Sequence, residues 1–272
     1  MAKILSFLSW NVENFHNQTS RVNRVVDKVA DKSPDVFALY EVKGAQVFQA
    51  MVSKMPGYTF TITESPGVPE ILVGVKSNLT AFVTQKDALQ SKVPTLRPGA
   101  LATINKNGEN YAFLFLHLKS FPAPRDWGLR DDMFSHVASL KRKLDSGLPG
   151  DQKTNFLALG DINTMGLKAP YNNESDFDGA KELEFVDNRM TAAITGLKRL
   201  TKTHDASWWN GKDNWPPSSL DHVYAAEHLN FKTFSGSEVE VTGWVEETSK
   251  TKQKAWINKF SDHAMLYGEI HS

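Results

Sequence analysis

Short apolar runs that each stop at one polar residue recur from end to end of this chain. Ile4 to Trp10 stops at Asn11, Val36 to Tyr40 at Glu41, and Phe156 to Leu159 at Gly160-Asp161. Tyr111 to Leu118 carries His117 at its end, another run opens at Asp221, and Ser261-Asp262-His263 precedes the last. Runs this short, rich in Val, Ile, Leu and Phe, suit buried strands better than helices. A chain made of them must stack its strands into sheets. Strand ends at one rim of a sheet converge on one pocket, so these polar groups are expected to meet. Asn, Glu, Asp and His converging without cysteine suit a hard divalent cation and oxygen-rich chemistry such as phosphate-ester hydrolysis.

The rest of the chain reads as strands with a few covering helices. Val22, Val25, Val26 and Val29 form one apolar stripe at i, i+3, i+4 and i+7, which predicts a helix over 20–32. Ser33-Pro34-Asp35 ends it, and Val36 to Tyr40 completes a β-α-β unit. A second helix is expected from Ala45 to Met55, closed by Pro56-Gly57. Strands are expected at Tyr58 to Thr63, Ile71 to Val75 and Leu79 to Val83. Leu101 to Ile104 and Tyr111 to Leu118 flank Asn107-Gly108, a two-residue hairpin signal. Residues 130–144 predict a helix with a basic end. From Gly166 to Pro217 the pattern weakens to loops around one or two helices near 180–199. Leu220 to Ala225, Leu229 to Phe234 and Ala264 to Ile270 close the chain as strands. Two packed sheets with helices outside follow from this pattern.

Composition narrows the function. Lys+Arg and Asp+Glu are 31 each, so net charge is zero and global charge alone does not hold this protein on nucleic acid. A local basic field remains open. With no cysteine, disulfides, zinc-thiolate sites and thiol nucleophiles are excluded. A hydrophobic content of 40% supports a substantial core, and no apolar run approaches the roughly 20 residues of a membrane span. Met1-Ala2-Lys3 and the run after it read as a first strand rather than a signal peptide. A single domain spanning 1–272, monomeric, cytoplasmic and without stable membrane insertion is expected; the lack of cysteine suits a secreted protein too.

Ser9-Trp10-Asn11-Val12-Glu13-Asn14, Tyr40-Glu41-Val42, His117-Leu118-Lys119-Ser120, Gly160-Asp161-Ile162-Asn163, Leu220-Asp221-His222-Val223 and Ser261-Asp262-His263 occur in that order. Any one is weak; the ordered set resembles the endonuclease/exonuclease/phosphatase superfamily, which includes DNase I-like nucleases. The resemblance implies a four-layer α/β/β/α sandwich and a divalent metal, Mg²⁺ or Mn²⁺. Glu41 is then the principal metal ligand, with Asn11 and Asp262 completing the shell and Glu13 steadying it. Asp161 orients or deprotonates the attacking water, and Asn163 donates to a phosphate oxygen. His263 contacts the phosphate, with Asp221 on its other ring nitrogen. His222, next in sequence to Asp221, points to the opposite sheet face. Pro69-Glu70-Ile71-Leu72-Val73 resembles the segment whose glutamate orients the second histidine, which implies a Glu70–His117 pair on the leaving-group side. Lys119, Arg97 and Arg130 are candidate phosphate contacts.

Substrate choice lives in the loops. Pro216 to Asp221 lacks the Cys and Arg of the corresponding inositol 5-phosphatase segment, which demotes that reading. Trp208, Trp209 and Trp215 crowd the loop before Asp221. Trp209 and Trp215 are expected to stack on bases; entry into a membrane interface and simple loop packing remain alternatives. Lys250, Lys252, Lys254 and Lys259, with Trp256 among them, form an expected basic loop beside the site. The leading expectation is a metal-dependent phosphodiesterase acting on DNA, an endonuclease. A lipid phosphodiesterase of the sphingomyelinase type and a catalytically inactive binding protein on the same fold are the alternatives.

Overall fold

A computed structural model describes residues 2–16, 18–66, 70–168 and 177–272. Met1, Pro69 of the glutamate motif and residues 169–176 of the expected loop region lie outside the described residues. In chain order the elements are β1 (Lys3–Phe15), α1 (Thr19–Lys32), β2 (Val36–Val42), α2 (Ala45–Lys54), β3 (Tyr58–Ile62), β4 (Glu70–Lys76), β5 (Thr80–Lys86), β6 (Gly99–Lys106), β7 (Glu109–His117) and α3 (Pro124–Ser146). They continue with β8 (Asn155–Asp161), α4 (Gly179–Met190), β9 (Leu197–Arg199), β10 (Asp221–Ala226), β11 (Asn230–Phe231), β12 (Val239–Thr242), α5 (Lys250–Lys259) and β13 (Met265–His271).

The strands form two mixed sheets. One runs β11-β13-β1-β2-β4-β3, with β12 also on β13; the other runs β5-β6-β7-β8-β10-β9. Each has one parallel pair at its centre, β1 with β2 and β7 with β8, amid antiparallel neighbours. Parallel pairs carry their C-terminal ends to the same rim. Asn11 and Glu41 therefore sit together in the first sheet, and His117 and Asp161 in the second.

Alternation along β1 sorts its side chains into two cores. Leu5 and Phe7 face the second sheet and pack with Ala38, Ile71, Phe113 and Phe156. Leu8, Trp10 and Val12 face outward onto the α1 stripe of Val22, Val25, Val26 and Val29. On the far side, Met133, Phe134 and Val137 of α3 and Val186 and Met190 of α4 cover the second sheet. The result is the expected four-layer α/β/β/α sandwich. Each fully buried valine of the α1 stripe contributes about 1.5–3 kcal/mol by leaving water, so an amphipathic helix suffices to roof the first sheet.

Departures from the expected elements have local causes. The Asn107-Gly108 turn is made, with φ of 55° and 86° joining Lys106 to Glu109. Helix α3 begins at Pro124 rather than at 130, since proline suits the first helical turn. The expected strand Leu229 to Phe234 shrinks to β11, and β12 was not foreseen. The lysine-rich segment is helix α5 rather than a loop, capped by Ser249 accepting from the Lys252 amide.

Candidate active site

Asn11 joins the two sheets at their shared rim. Its Nδ2 donates to Asp161 Oδ2 at 3.0 Å in the second sheet and to Glu41 Oε1 at 3.3 Å in its own. Its Oδ1 accepts the Glu13 amide at 3.0 Å. Glu41 Oε2 accepts the Asn14 amide at 2.8 Å. The register of β2 slips on both sides here, after Asn11 against β1 and after Leu39 against β4. Glu41 takes φ of 62°, and Glu13 and Asn14 take 42° and 45°. Non-glycine residues in this region are uncommon, and such slips re-aim side chains at strand ends. The strain turns the Glu41 carboxylate into the rim.

His117, Asp161 and Asp221 stand in one row across the second sheet, paired in register through β7, β8 and β10. Residue 160 must be glycine to bring that row close. Its φ is 141°, and a Cβ there would lie 2.0 Å from the Leu116 carbonyl. Beyond the strand, Asn163 takes φ of 52°, and its amide reaches Asp161 Oδ1 at 3.2 Å. Its Nδ2 donates to the Leu118 carbonyl at 3.1 Å.

His263 enters from the other sheet and is pinned by its backbone. The Trp10 indole donates to its carbonyl at 3.0 Å, and its amide donates to Ser261 Oγ, which itself donates to the Asn11 carbonyl. The ring then donates from Nδ1 to Asp221 Oδ2 at 2.8 Å, with Nε2 3.7 Å from Asp161 Oδ2.

The two histidines are held in opposite states. Burial alone would lower His263, but Asp221 and Asp161 outweigh it and hold the ring well above its usual range, as an imidazolium. Burial drives His117 well below that range, helped by Arg97 and the charge on His263. Asp161 is pushed up to about 7 by burial and by the Asp221 carboxylate, against the pull of His263. Asp262 and Glu13 are also raised, burial coming first in each.

Several expected roles meet a different geometry. Glu70 does not pair with His117: its carboxylate accepts from Thr63 Oγ1, the Ser65 amide and Ser65 Oγ in the turn before β4. His117 Nδ1 is left buried without a partner among the described residues, and Nε2 lies 3.4 Å from Asp161 Oδ2. Arg130 is not a phosphate contact. It is wholly buried, forked onto Glu182 at 2.8 Å through both Nε and Nη2, and holds the carbonyls of Lys119, Phe121 and Gly166. Trp209 does not offer a stacking face; it is buried against Trp244, and its indole donates to the Lys212 and Trp215 carbonyls. Trp215 stays 52% exposed. Lys250 and Lys254 are paired with Asp213. Lys119 pairs with Asp126 at 3.1 Å and lies over the Phe121 ring. Arg97 remains near the site: burial lowers its guanidinium against the pull of Glu41, Asp161 and Glu70, and among the described residues its Nε is buried without a partner. His222 is buried, with Nε2 donating to the Ser219 carbonyl.

Sequence reasoning missed the residues that hold this set in place. Ser207 Oγ accepts the Leu220 and Asp221 amides, and the Trp208 indole donates to Asp262 Oδ2 at 2.8 Å. Tyr40 OH meets Ser9 Oγ and donates to the Leu159 carbonyl across the inter-sheet core. Only adjacency to Glu41 hinted at Tyr40; nothing local marked Ser207.

The sequence pattern of the Endonuclease/Exonuclease/phosphatase family matches residues 8–263. The chain belongs to that family. Family members hydrolyse phosphate esters, and this chain is a hydrolase of that kind. No curated protein matches it significantly in sequence. Among solved structures, truncated TDP2 of Caenorhabditis elegans superposes with a TM-score of 0.66 at 16% identity, covering 98% of both chains. D. rerio TDP2 complexed with a single-strand DNA product gives 0.67 at 16%, covering 98% of this chain and 99% of that one. The human Nocturnin catalytic domain with bound sulfate gives 0.66 at 14%, covering 98% and 94%. At such identities the likeness is one of fold.

Enzymes of the endonuclease/exonuclease/phosphatase family use divalent metals, and the residues at the rim fit one. Asp161, Asp221 and His263 offer buried donor atoms within 4.8 Å of one another. The His263–Asp221 hydrogen bond competes with that use, because an imidazolium has no lone pair to give. Glu41, Asn11 and Asp262 would supply an all-oxygen set, and among the described residues Asp262 Oδ1 is buried without a hydrogen-bond partner. No helix among the described residues is long and apolar enough to cross a membrane.

Proposed function

We propose that the chain is a divalent-metal-dependent phosphodiesterase that cleaves nucleic acid, as a DNA endonuclease, from a single catalytic domain acting as a monomer. The observation that carries the reading is the buried row His117, Asp161, Asp221 facing the His263 imidazolium. A carboxyl near neutrality accepts a proton well at working pH, so Asp161 takes the proton of the attacking water. The Asn163 amide on Oδ1 and the Asn11 amide on Oδ2 fix its plane. His263, charged and locked by Asp221, stabilises negative oxygens on phosphorus as they develop. Asn163 Nδ2 and Arg97 hold the remaining phosphoryl oxygens. His117, neutral and next to Asp161, lies on the leaving-group side. Magnesium or manganese, held by Glu41, Asn11 and Asp262 with Glu13 nearby, would polarise the phosphate and offset its charge.

Nucleic acid is the preferred substrate because the rim presents flat aromatic surface. Phe121 is 60% exposed with φ of 81°, four residues after His117, and Trp215 is exposed in the loop before Asp221. Stacking of this kind contributes about 1–3 kcal/mol per base. A structural neighbour holding a single-strand DNA product supports the same direction.

Plasmid nicking that requires Mg²⁺ and stops with EDTA is the expected result; cleavage of sphingomyelin vesicles with no nicking at any salt would overturn it. His263→Ala and Asp221→Asn should each lower turnover ~10²–10⁴-fold, and the double variant should be clearly less than additive. Strictly additive losses would break the pairing.

A further inference from the structure

The tryptophan-rich loop before β10 does not offer Trp209 to substrate, and one of its members reaches into the site instead. Trp208 lies between two isolated antiparallel bridges, to Ser218 on one side and to His263 on the other. The Trp208 amide donates to the Ser218 carbonyl, the Trp209 amide to the Asp262 carbonyl, and the Ala264 amide to the Ser207 carbonyl. This fixes the backbone of residue 208 against the Asp262-His263 pair. From there the indole Nε1 donates to Asp262 Oδ2 at 2.8 Å. Among the described residues it is the indole that bonds a carboxylate; those of Trp10 and Trp209 bond backbone carbonyls.

The consequence lies on the other oxygen. Asp262 Oδ1 is buried, has no hydrogen-bond partner among the described residues and stands 4.0 Å from His263 Nε2. Leaving a buried carboxylate oxygen unpaired costs about 1–3 kcal/mol or more, so a residue that holds it so is preparing it for a ligand. A carboxylate with one oxygen tied is restricted in rotation, and its free oxygen keeps one direction.

We propose that Trp208 is a positioning residue for divalent-cation binding: its indole holds one oxygen of Asp262 so that the other faces the cation. This rests on the ligand set Glu41, Asn11 and Asp262. Hydrogen-bond partners of metal ligands commonly change affinity by about 10–100-fold when removed. Trp208→Phe keeps the ring and removes only the donor.

The test uses Mn²⁺ alone, titrated into the full chain and followed by the electron paramagnetic resonance of free Mn²⁺. Trp208→Phe is expected to weaken Mn²⁺ by about 10–100-fold with no change in the far-ultraviolet spectrum. Asp262→Ala should weaken it at least as much, and adding Trp208→Phe to Asp262→Ala should do nothing further. Wild-type affinity in Trp208→Phe, beside weakened Asp262→Ala, would overturn the positioning role and leave the ligand set standing. Additive losses would overturn it likewise. Unchanged affinity in both Asp262→Ala and Glu41→Gln would overturn the ligand set, and this proposal with it. A measurement on the unaltered chain covers a misfolded variant. The Trp208 indole N–H resonance is expected to shift as Mg²⁺ saturates the protein, and an unmoved resonance at saturation would also overturn the proposal.

Discussion

His222 sits beside Asp221 in sequence and shares none of its chemistry. Alternation along β10 sends it to the opposite face, where it is buried and its Nε2 donates to the Ser219 carbonyl. Burial first, then the Lys202 charge, lowers it well below its usual 6.5. The sign of the stability effect follows. Below about pH 6.5 the unfolded chain takes up a proton that the folded ring refuses, so stability is complete above that pH and falls below it. The slope reaches at most about 1.4 kcal/mol per pH unit for one proton. His222→Gln keeps a donor for Ser219 and removes the titration. Urea melts near pH 7.5 and near pH 5 should show a smaller acid loss in His222→Gln than in the wild type; equal losses would mean that His222 titrates normally in the fold.

At the scale of elements, the most consequential contact is the one that takes Arg130 out of the site. The guanidinium on α3 forks onto Glu182 on α4 and gathers the carbonyls of Lys119 and Phe121 after β7 and of Gly166 after β8. The Glu182 carboxylate also accepts the Gly166 amide. Two helices and two rim loops are tied at one buried point, which sets where Phe121 emerges. Breaking such a pair leaves a buried charge uncompensated, so Arg130→Met should cost about 3–5 kcal/mol in chemical denaturation. Arg130→Met with Glu182→Leu should recover part of it, because the unpaired charge is gone. A single variant as stable as the wild type would show that the pair is dispensable. The lysine-rich segment makes the opposite point: as helix α5 it turns Lys250 and Lys254 onto Asp213, so its charge is less available than its composition suggests.

For the whole molecule, the site is where two sheets meet, and its charges do not balance locally. Glu13, Glu41, Asp161, Asp221 and Asp262 crowd a rim whose neighbouring cations are His263, Arg97, Arg21 and Lys202. A divalent cation relieves that repulsion only in the folded state, so binding must stabilise the fold as a unit. At a hundredfold excess over the dissociation constant the gain is about 2.7 kcal/mol. Mg²⁺ should therefore raise the melting temperature of the wild type by several degrees, and EDTA should reverse it. Glu41→Gln should remain folded, shift far less with Mg²⁺ and lose most activity. An equal Mg²⁺ shift in Glu41→Gln would remove Glu41 from the ligand set.

The sequence by itself determined the layers and the roster at the rim. Period-2 and period-3.6 patterns are local, and they state which face of each element is buried before any partner is known. The runs ending at Asn11, Glu41, His117 and Asp161 belong to strands whose directions are set by the β1–β2 and β7–β8 parallel pairs, so their meeting was legible in the order of the runs. Only the tertiary structure decided who bonds to whom. Glu70 turned to Thr63 and Ser65 rather than to His117, Trp209 went inward, Arg130 found Glu182, and Trp208 rather than Trp209 reached the site. Each choice depends on a loop path, and for Arg130 and Trp208 on a partner more than 50 residues away. A buried polar group bonds to whatever packing brings within about 3 Å, and that distance is a property of the folded chain alone.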